Sequence, residues 1–317
     1  MTTNIFIAGH KGMVGSAITR KLTQKKNLNI ITTNKNEVNL LDQESVNKFV
    51  SSQNIDQIYI AAAKVGGILA NNSYPADFIY ENIMIQSNII KAAHNHDVNK
   101  ILFLGSSCIY PKYSKQPIKE ESILSGTLEK TNEPYAIAKI AGIKMCESFN
   151  RQYDRDYRSA MPTNLYGEND NFDSKSSHVI PGLIQRFHKA KINNKGTVEV
   201  WGSGDVFREF LYVDDAAQAC ITIMNSEKET YKRVSKDMLS QINVGSGIDI
   251  KIKDLAYLIK DVVQYKGNII FNNELPDGTP KKLLDNTKIN SLGWSPQYTL
   301  KEGLNKTYDW YVKNFNK

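Results

Sequence analysis

Three glycines spaced G-x-x-G-x-x-G, at Gly9-His10-Lys11-Gly12-Met13-Val14-Gly15, stand between an apolar run at 4–8 and an amphipathic stretch at 13–24. Glycine lets a chain turn sharply from strand into helix. It also lets backbone amides approach a pyrophosphate at the helix N-terminus, where negative charge is favoured. A glycine triplet alone recurs by chance. Its place directly after a first strand is what gives it weight. The pattern predicts a dinucleotide site, and with it an α/β fold.

The segments that follow support that expectation. Strands are predicted at 28–33, 57–61, 100–105 and 159–165, and helices at 45–52, 76–94 and 135–153. Strands separated by helical segments argue for a doubly wound parallel sheet of the Rossmann type. Past Gly167 the pattern loosens into a polar, turn-rich stretch at 168–177, followed by amphipathic helices predicted at 179–190 and 252–263. The expected organisation is a cofactor-binding domain at 1–167 and a smaller, mixed substrate-binding domain at 168–317, with some later segments returning to the first sheet.

Composition bounds the rest. Hydrophobic residues make up 41% and charged residues 23% of 317, ordinary for a soluble globular chain. The longest apolar stretches are too short to span a membrane, and residues 1–4 lead straight into the first strand, so no signal peptide is expected. The three cysteines, Cys108, Cys146 and Cys220, have no metal-ligand spacing and suggest a reduced, cytoplasmic protein. The net charge of +7 comes largely from dispersed lysines. Without an aromatic-interleaved basic stripe it reads as a solvated surface, or as attraction to a nucleotide-bearing substrate, and not as nucleic-acid binding.

Several further positions carry chemistry. After the second strand, where NAD enzymes place an acid for the ribose 2′-hydroxyl, stand Asn34, Lys35 and Asn36, with Lys11 in the glycine loop and Glu37 close by. A cation without an acid favours a 2′-phosphate, hence NADP. Thr131 and Asn132 look like a polar cap, with Glu133 and Pro134 opening a helix. On that helix Tyr135 and Lys139, four apart, share one face. An ammonium there is expected to lower the phenol pKa, so that the tyrosine can protonate a carbonyl oxygen as hydride reaches its carbon. Ser106 and Ser107 end the strand at 100–105, where open sheets place ligands. Cys108 shares that rim. A thiolate can remove a proton from a carbon beside a ketone, and His178 could return one to the opposite face. Cys146 and Cys220 read as packing.

Together, G-H-K-G-M-V-G, A-A-A-K-V-G-G (61–67), G-S-S-C-I-Y (105–110) and Y-A-I-A-K (135–139) closely resemble the GDP-L-fucose synthases of the extended short-chain dehydrogenase/reductases. The likeness continues through P-T-N-L-Y-G (162–167), S-H-V-I-P (177–181), W-G-S-G (201–204), R-E-F-L (208–211) and P-D-G-T-P (276–280). The resemblance implies a homodimeric enzyme that inverts carbons 3 and 5 of GDP-4-keto-6-deoxy-D-mannose and reduces carbon 4 with NADPH. It assigns Cys108 and His178 to the inversions, and Ser106, Tyr135 and Lys139 to the reduction. It places the cofactor on the glycine loop, on Lys35, Asn39 and Leu40, on Leu104, Gly105 and Ser107, on Tyr135 and Lys139, and on Pro162, Asn164, Leu165 and His178. Ser106, Cys108, Asn164, Arg186, Trp201, Arg208 and Asp277 fall at substrate positions. Relatives carry arginine where this chain has Lys11 and Lys35, so charge is kept but the bidentate fork is lost. The rivals are a 4,6-dehydratase, a carbon-4 reductase for a GDP-4-keto heptose or dideoxy sugar, and an NADP sensor. A dehydratase should carry an acidic pair where Cys108 and Ile109 stand, and a sensor needs no Ser/Tyr/Lys set.

Overall fold

The computed structural model describes residues 2–173, 176–274 and 279–315. Its centre is a six-stranded, all-parallel sheet in the order β2-β1-β3-β4-β5-β9. These are β1 (Thr3–Ala8), β2 (Leu28–Ile31), β3 (Gln57–Ile60), β4 (Lys100–Leu104), β5 (Asp156–Pro162) and β9 (Ile242–Val244). The crossovers are α1 (Met13–Leu22), α2 (Gln43–Ser52), α3 (Ile68–Ser73), the long α4 (Pro75–Asn95) and α5 (Glu133–Tyr153). Both faces of the sheet are covered. In β4, Leu102 and Leu104 enter one apolar cluster while Ile101 and Phe103 enter the other, as expected of a strand buried on both sides. The fold is the doubly wound α/β class that the alternation predicted.

After β5 the chain leaves this sheet. The single strand expected at 159–165 is two: β5 starts earlier, and β6 (Asn164–Tyr166) pairs in parallel with β8 (Phe207–Tyr212). Pro162 has no N–H to give the central ladder. Thr163 makes the last bond there, donating its amide to the Val244 carbonyl at 2.9 Å. The second strand also stops short, at Ile31, because residues 34–37 form a turn in which the Glu37 and Val38 amides donate to the Asn34 carbonyl.

α7 (Val213–Asn225) packs beside α1 on β4 and β5 of the central sheet. The second layer contains α6 (Val179–Ile192), β7 (Thr197–Trp201), α8 (Lys228–Val234), β10 (Asp249–Lys251), α9 (Ile252–Val263) and β11 (Asn268–Asn272). β12 (Lys281–Lys282), α10 (Thr287–Ser291) and α11 (Leu300–Phe315) complete it. β6, β10 and β12 all pair with β8, and β7 pairs in parallel with β11. Among the described residues, no helix is long and apolar enough to cross a membrane. The order of the central sheet reverses between β1 and β3. Doubly wound sheets open a crevice at such a point, beyond the carboxyl ends of the strands.

Candidate active site

The glycine loop lies in that crevice. Gly9 has a φ of +88°, and a Cβ there would stand 2.6 Å from the Ala62 nitrogen, just past β3. A Cβ on Gly15 would come within 2.1 Å of the Gly9 carbonyl oxygen. These two positions need glycine, one for backbone conformation and both for space. Gly12 closes the turn by donating its amide to the Gly9 carbonyl at 3.0 Å, and Met13 and Val14 start α1 half-buried. Burial, then Lys11, hold the His10 pKa below its ordinary value.

At the rim, Lys11 Nζ donates to Asn34 Oδ1 at 2.6 Å. The Asn34 backbone and side-chain N–H groups in turn donate to Glu37 at 2.9 and 2.8 Å. Those bonds lower the Glu37 pKa and occupy the carboxylate, so the acid closest to the ribose position is already engaged. Lys35 is exposed in the same turn. The Asn39 side chain accepts from the Leu41 amide, and the Leu40 carbonyl from Asn88. A glycine cradle at a helix N-terminus and a lysine at the ribose end fit a phosphorylated dinucleotide.

β4 delivers the reacting groups. The Gly105 amide closes on the Ala160 carbonyl at 2.9 Å. Ser106 then caps a single 3-10 turn, accepting the Cys108 amide on its Oγ at 3.2 Å, with Ser107 buried beneath. Tyr135, half-buried at the start of α5, hydrogen-bonds the Ser106 side chain. Lys139 lies on the same helix face, its Nζ 5.8 Å from the Tyr135 ring centroid, but it donates to the Leu104 carbonyl at 2.7 Å. Two expectations are corrected here. The Tyr135 pKa is pushed up, first by burial and then by the Cys108 charge, against the Ser106 hydrogen bond. Burial drives Lys139 down to about 7. An ammonium that is itself desolvated and turned to a carbonyl does not favour the phenolate. Nor does Asn132 cap α5 with its side chain; its Nδ2 lies 3.3 Å from Cys108 Sγ.

A cleft of about 610 Å³ opens between α6, β7 and β8. Asn164, His178, Arg186, Trp201 and Arg208 line it, as does Leu165. His178 precedes α6 and accepts the Gly182 amide on its carbonyl, and its loop is tied down by the Gly67 amide donating to the Ser176 carbonyl. The imidazole is open to the cleft, yet the surrounding protein lowers its pKa below the ordinary histidine value. Arg186 stands 5.5 Å from the Trp201 ring centroid, and Trp201 is 49% exposed, leaving ring surface free. The Asn164 amide donates to the Glu209 carbonyl at 2.8 Å. Pro162 ends β5 immediately before this wall. Asp277 lies outside the described residues.

Three contacts at the site follow from no spacing rule. Lys282 Nζ lies 3.8 Å from Cys108 Sγ, and buried Glu209 accepts the Gly247 and Leu284 amides at 2.7 and 3.0 Å. Lys282 pairs in register with Arg208, which joins the Cys108 rim to the cleft wall.

Residues 5–245 match the model of the NAD dependent epimerase/dehydratase family. The chain is 59% identical to a GDP-L-fucose synthase of Escherichia coli, over 98% of this chain and 97% of that protein. The chain belongs to the GDP-L-fucose synthase branch of that family. A GDP-6-OMe-4-keto-L-xylo-heptose reductase from C. jejuni is similar at a TM-score of 0.92 and 37% identity, covering 98% of each chain. A GDP-L-fucose synthetase from Naegleria fowleri, solved with NADP, superposes at a TM-score of 0.88 and 25% identity, covering 100% of this chain and 97% of that one. The cofactor of this GDP-L-fucose synthase family member is NADP, in keeping with the Lys11 and Asn34 rim.

Proposed function

We propose that the chain converts GDP-4-keto-6-deoxy-D-mannose to GDP-L-fucose by inverting carbons 3 and 5 and reducing carbon 4. The observation that carries this reading is the meeting of a cysteine with a Ser/Tyr/Lys set on one strand rim. A simple carbonyl reductase has no use for that thiol. Carbons 3 and 5 flank the ketone, so the protons they bear are acidic. Cys108 takes such a proton as thiolate, leaving an enolate, and His178 returns one to the opposite face. Tyr135, kept protonated by burial and by the neighbouring sulfur, then gives its proton to the carbon-4 oxygen, with Ser106 orienting that oxygen. NADPH bound along the glycine loop supplies the hydride. Lys139 sits beneath Tyr135 and the cofactor position. The diphosphate is held by Arg186 and Arg208, the base rests against Trp201, and Asn164 and Asp277 complete the substrate contacts.

Residues 1–167 hold chiefly the cofactor and residues 168–317 chiefly the GDP-sugar, apart from α7 and β9, which return to the central sheet. A homodimer is supported by exposed Tyr80 on α4 and Ile137 on the adjacent α5. Three unpaired thiols support a reducing, cytoplasmic setting. The likeness to a heptose reductase favours one second reading, carbon-4 reduction of a GDP-4-keto heptose. Product NMR from purified enzyme, NADPH and each GDP-4-keto sugar separates the two. Preferential turnover of the 6-deoxyhexose supports the first, and preference for the heptose refutes it.

A further inference from the structure

Two hydrogen-bond donors converge on the Cys108 sulfur from elements far apart in sequence. Asn132 Nδ2 lies 3.3 Å and Lys282 Nζ 3.8 Å from Sγ. Asn132 stands at the N-cap of α5 without using its side chain there. Lys282 is half-buried and, among the described residues, has no carboxylate partner, whereas adjacent Lys281 pairs with Asp249 at 2.9 Å. The backbone around Lys282 is fixed on both sides. Gln116 donates to the Lys281 carbonyl at 3.2 Å and accepts the Leu283 amide at 2.8 Å. The Ile118 amide donates to the Leu283 carbonyl at 2.7 Å, and the Leu284 amide donates to buried Glu209. A neutral thiol is a weak acceptor, so an ammonium and an amide aimed at one sulfur match a thiolate.

We propose that Lys282, aided by Asn132, is a positioning residue whose converging hydrogen bonds orient the Cys108 sulfur to act as base. This rests on the reading of Cys108 as the epimerising base. Among the described residues, Tyr135 on α5 is a titratable group coupled to the sulfur. Negative charge on Cys108 disfavours phenolate, so the neighbouring acid stays protonated while the sulfur acts as base. Lys282 is also the register partner of Arg208, so the strand that presents the cation is continuous with the cleft wall.

Iodoacetamide alkylation of Cys108 in the full chain with NADP, followed by mass spectrometry, tests this directly. Cys146 and Cys220 are buried with thiols pushed up to about 12, so they stay silent. At about pH 7.5, Lys282→Gln should react about tenfold more slowly than the wild type, the effect of one neighbouring charge. Lys282→Arg should retain most of the wild-type rate. Equal rates for Lys282→Gln and wild type, or equal slowing of Lys282→Gln and Lys282→Arg, would overturn the proposal. NADPH binding by each variant checks that it is folded. If Cys108→Ser still exchanged solvent deuterium into the sugar, the epimerase reading would fail on its own, whatever the alkylation rates.

Discussion

Replacing Lys139 by Met should make the cofactor-free enzyme more stable at acid and neutral pH, with the advantage fading as pH rises. The Lys139 ammonium is 3% exposed, its one hydrogen bond goes to the Leu104 carbonyl, and no carboxylate pairs with it among the described residues. Burial takes its pKa from 10.5 to about 7. Because the folded-state value lies below the unfolded one, the unfolded chain binds more protons between those two pH values. Stability therefore rises with pH across that window, and the full penalty applies below it. At about 1.4 kcal/mol per pH unit the gap sets a ceiling of roughly 5 kcal/mol. The lost hydrogen bond to Leu104 returns about 2 kcal/mol. Lys139→Met should thus gain roughly 2–3 kcal/mol near pH 6 and nothing, or a small loss, near pH 10. Urea unfolding of both proteins without cofactor, across that range, measures the difference. Parallel stability curves would refute the reasoning that the lysine is held desolvated and unpaired before cofactor binds.

The other predictions concern the loop and the phenol. Gly15→Ala should cost the fold roughly 2–4 kcal/mol and weaken NADPH binding at least tenfold, since the new methyl meets the Gly9 carbonyl; fluorescence titration and thermal melts test both, and near-normal values would contradict the close approach. Lys11→Ala should cut the preference for NADPH over NADH about fivefold to tenfold, as expected for one exposed charge-assisted contact; the ratio of kcat/KM values reads this directly. Tyr135→Phe should bind NADPH with nearly unchanged Kd but lose at least about 100-fold in turnover, and unchanged turnover would remove Tyr135 as proton donor.

Local features were legible in the sequence because their physics is local. The glycine loop follows from spacing and its place after β1, and the Tyr135–Lys139 face from helical periodicity. His178, by itself a loop histidine, took its role from the family resemblance and not from a local pattern. The remaining features depend on contacts made only after folding. Lys282 lies 174 positions from Cys108, and no spacing rule links them. Asn132 has the composition of a helix cap, and only the folded chain reveals that its amide faces sulfur. The Tyr135 pKa moves opposite to the direction that proximity to an ammonium implies, because burial moves both groups away from their charged forms. The departure of β6 from the central sheet followed from Pro162, which was visible, and from pairing with β8, which was not.

The division of labour between Cys108 with His178 and Tyr135 with Lys139 is tested most directly by one measurement. The wild-type enzyme and Cys108→Ser turn over GDP-4-keto-6-deoxy-D-mannose with NADPH in D2O, and NMR reads deuterium at each carbon of the product. The account predicts deuterium at carbons 3 and 5 from the wild type, and none at either from Cys108→Ser, in which Tyr135 and the cofactor site are untouched. Wild-type product with protium retained at both carbons would contradict it, leaving a carbonyl reductase with an idle thiol at its rim.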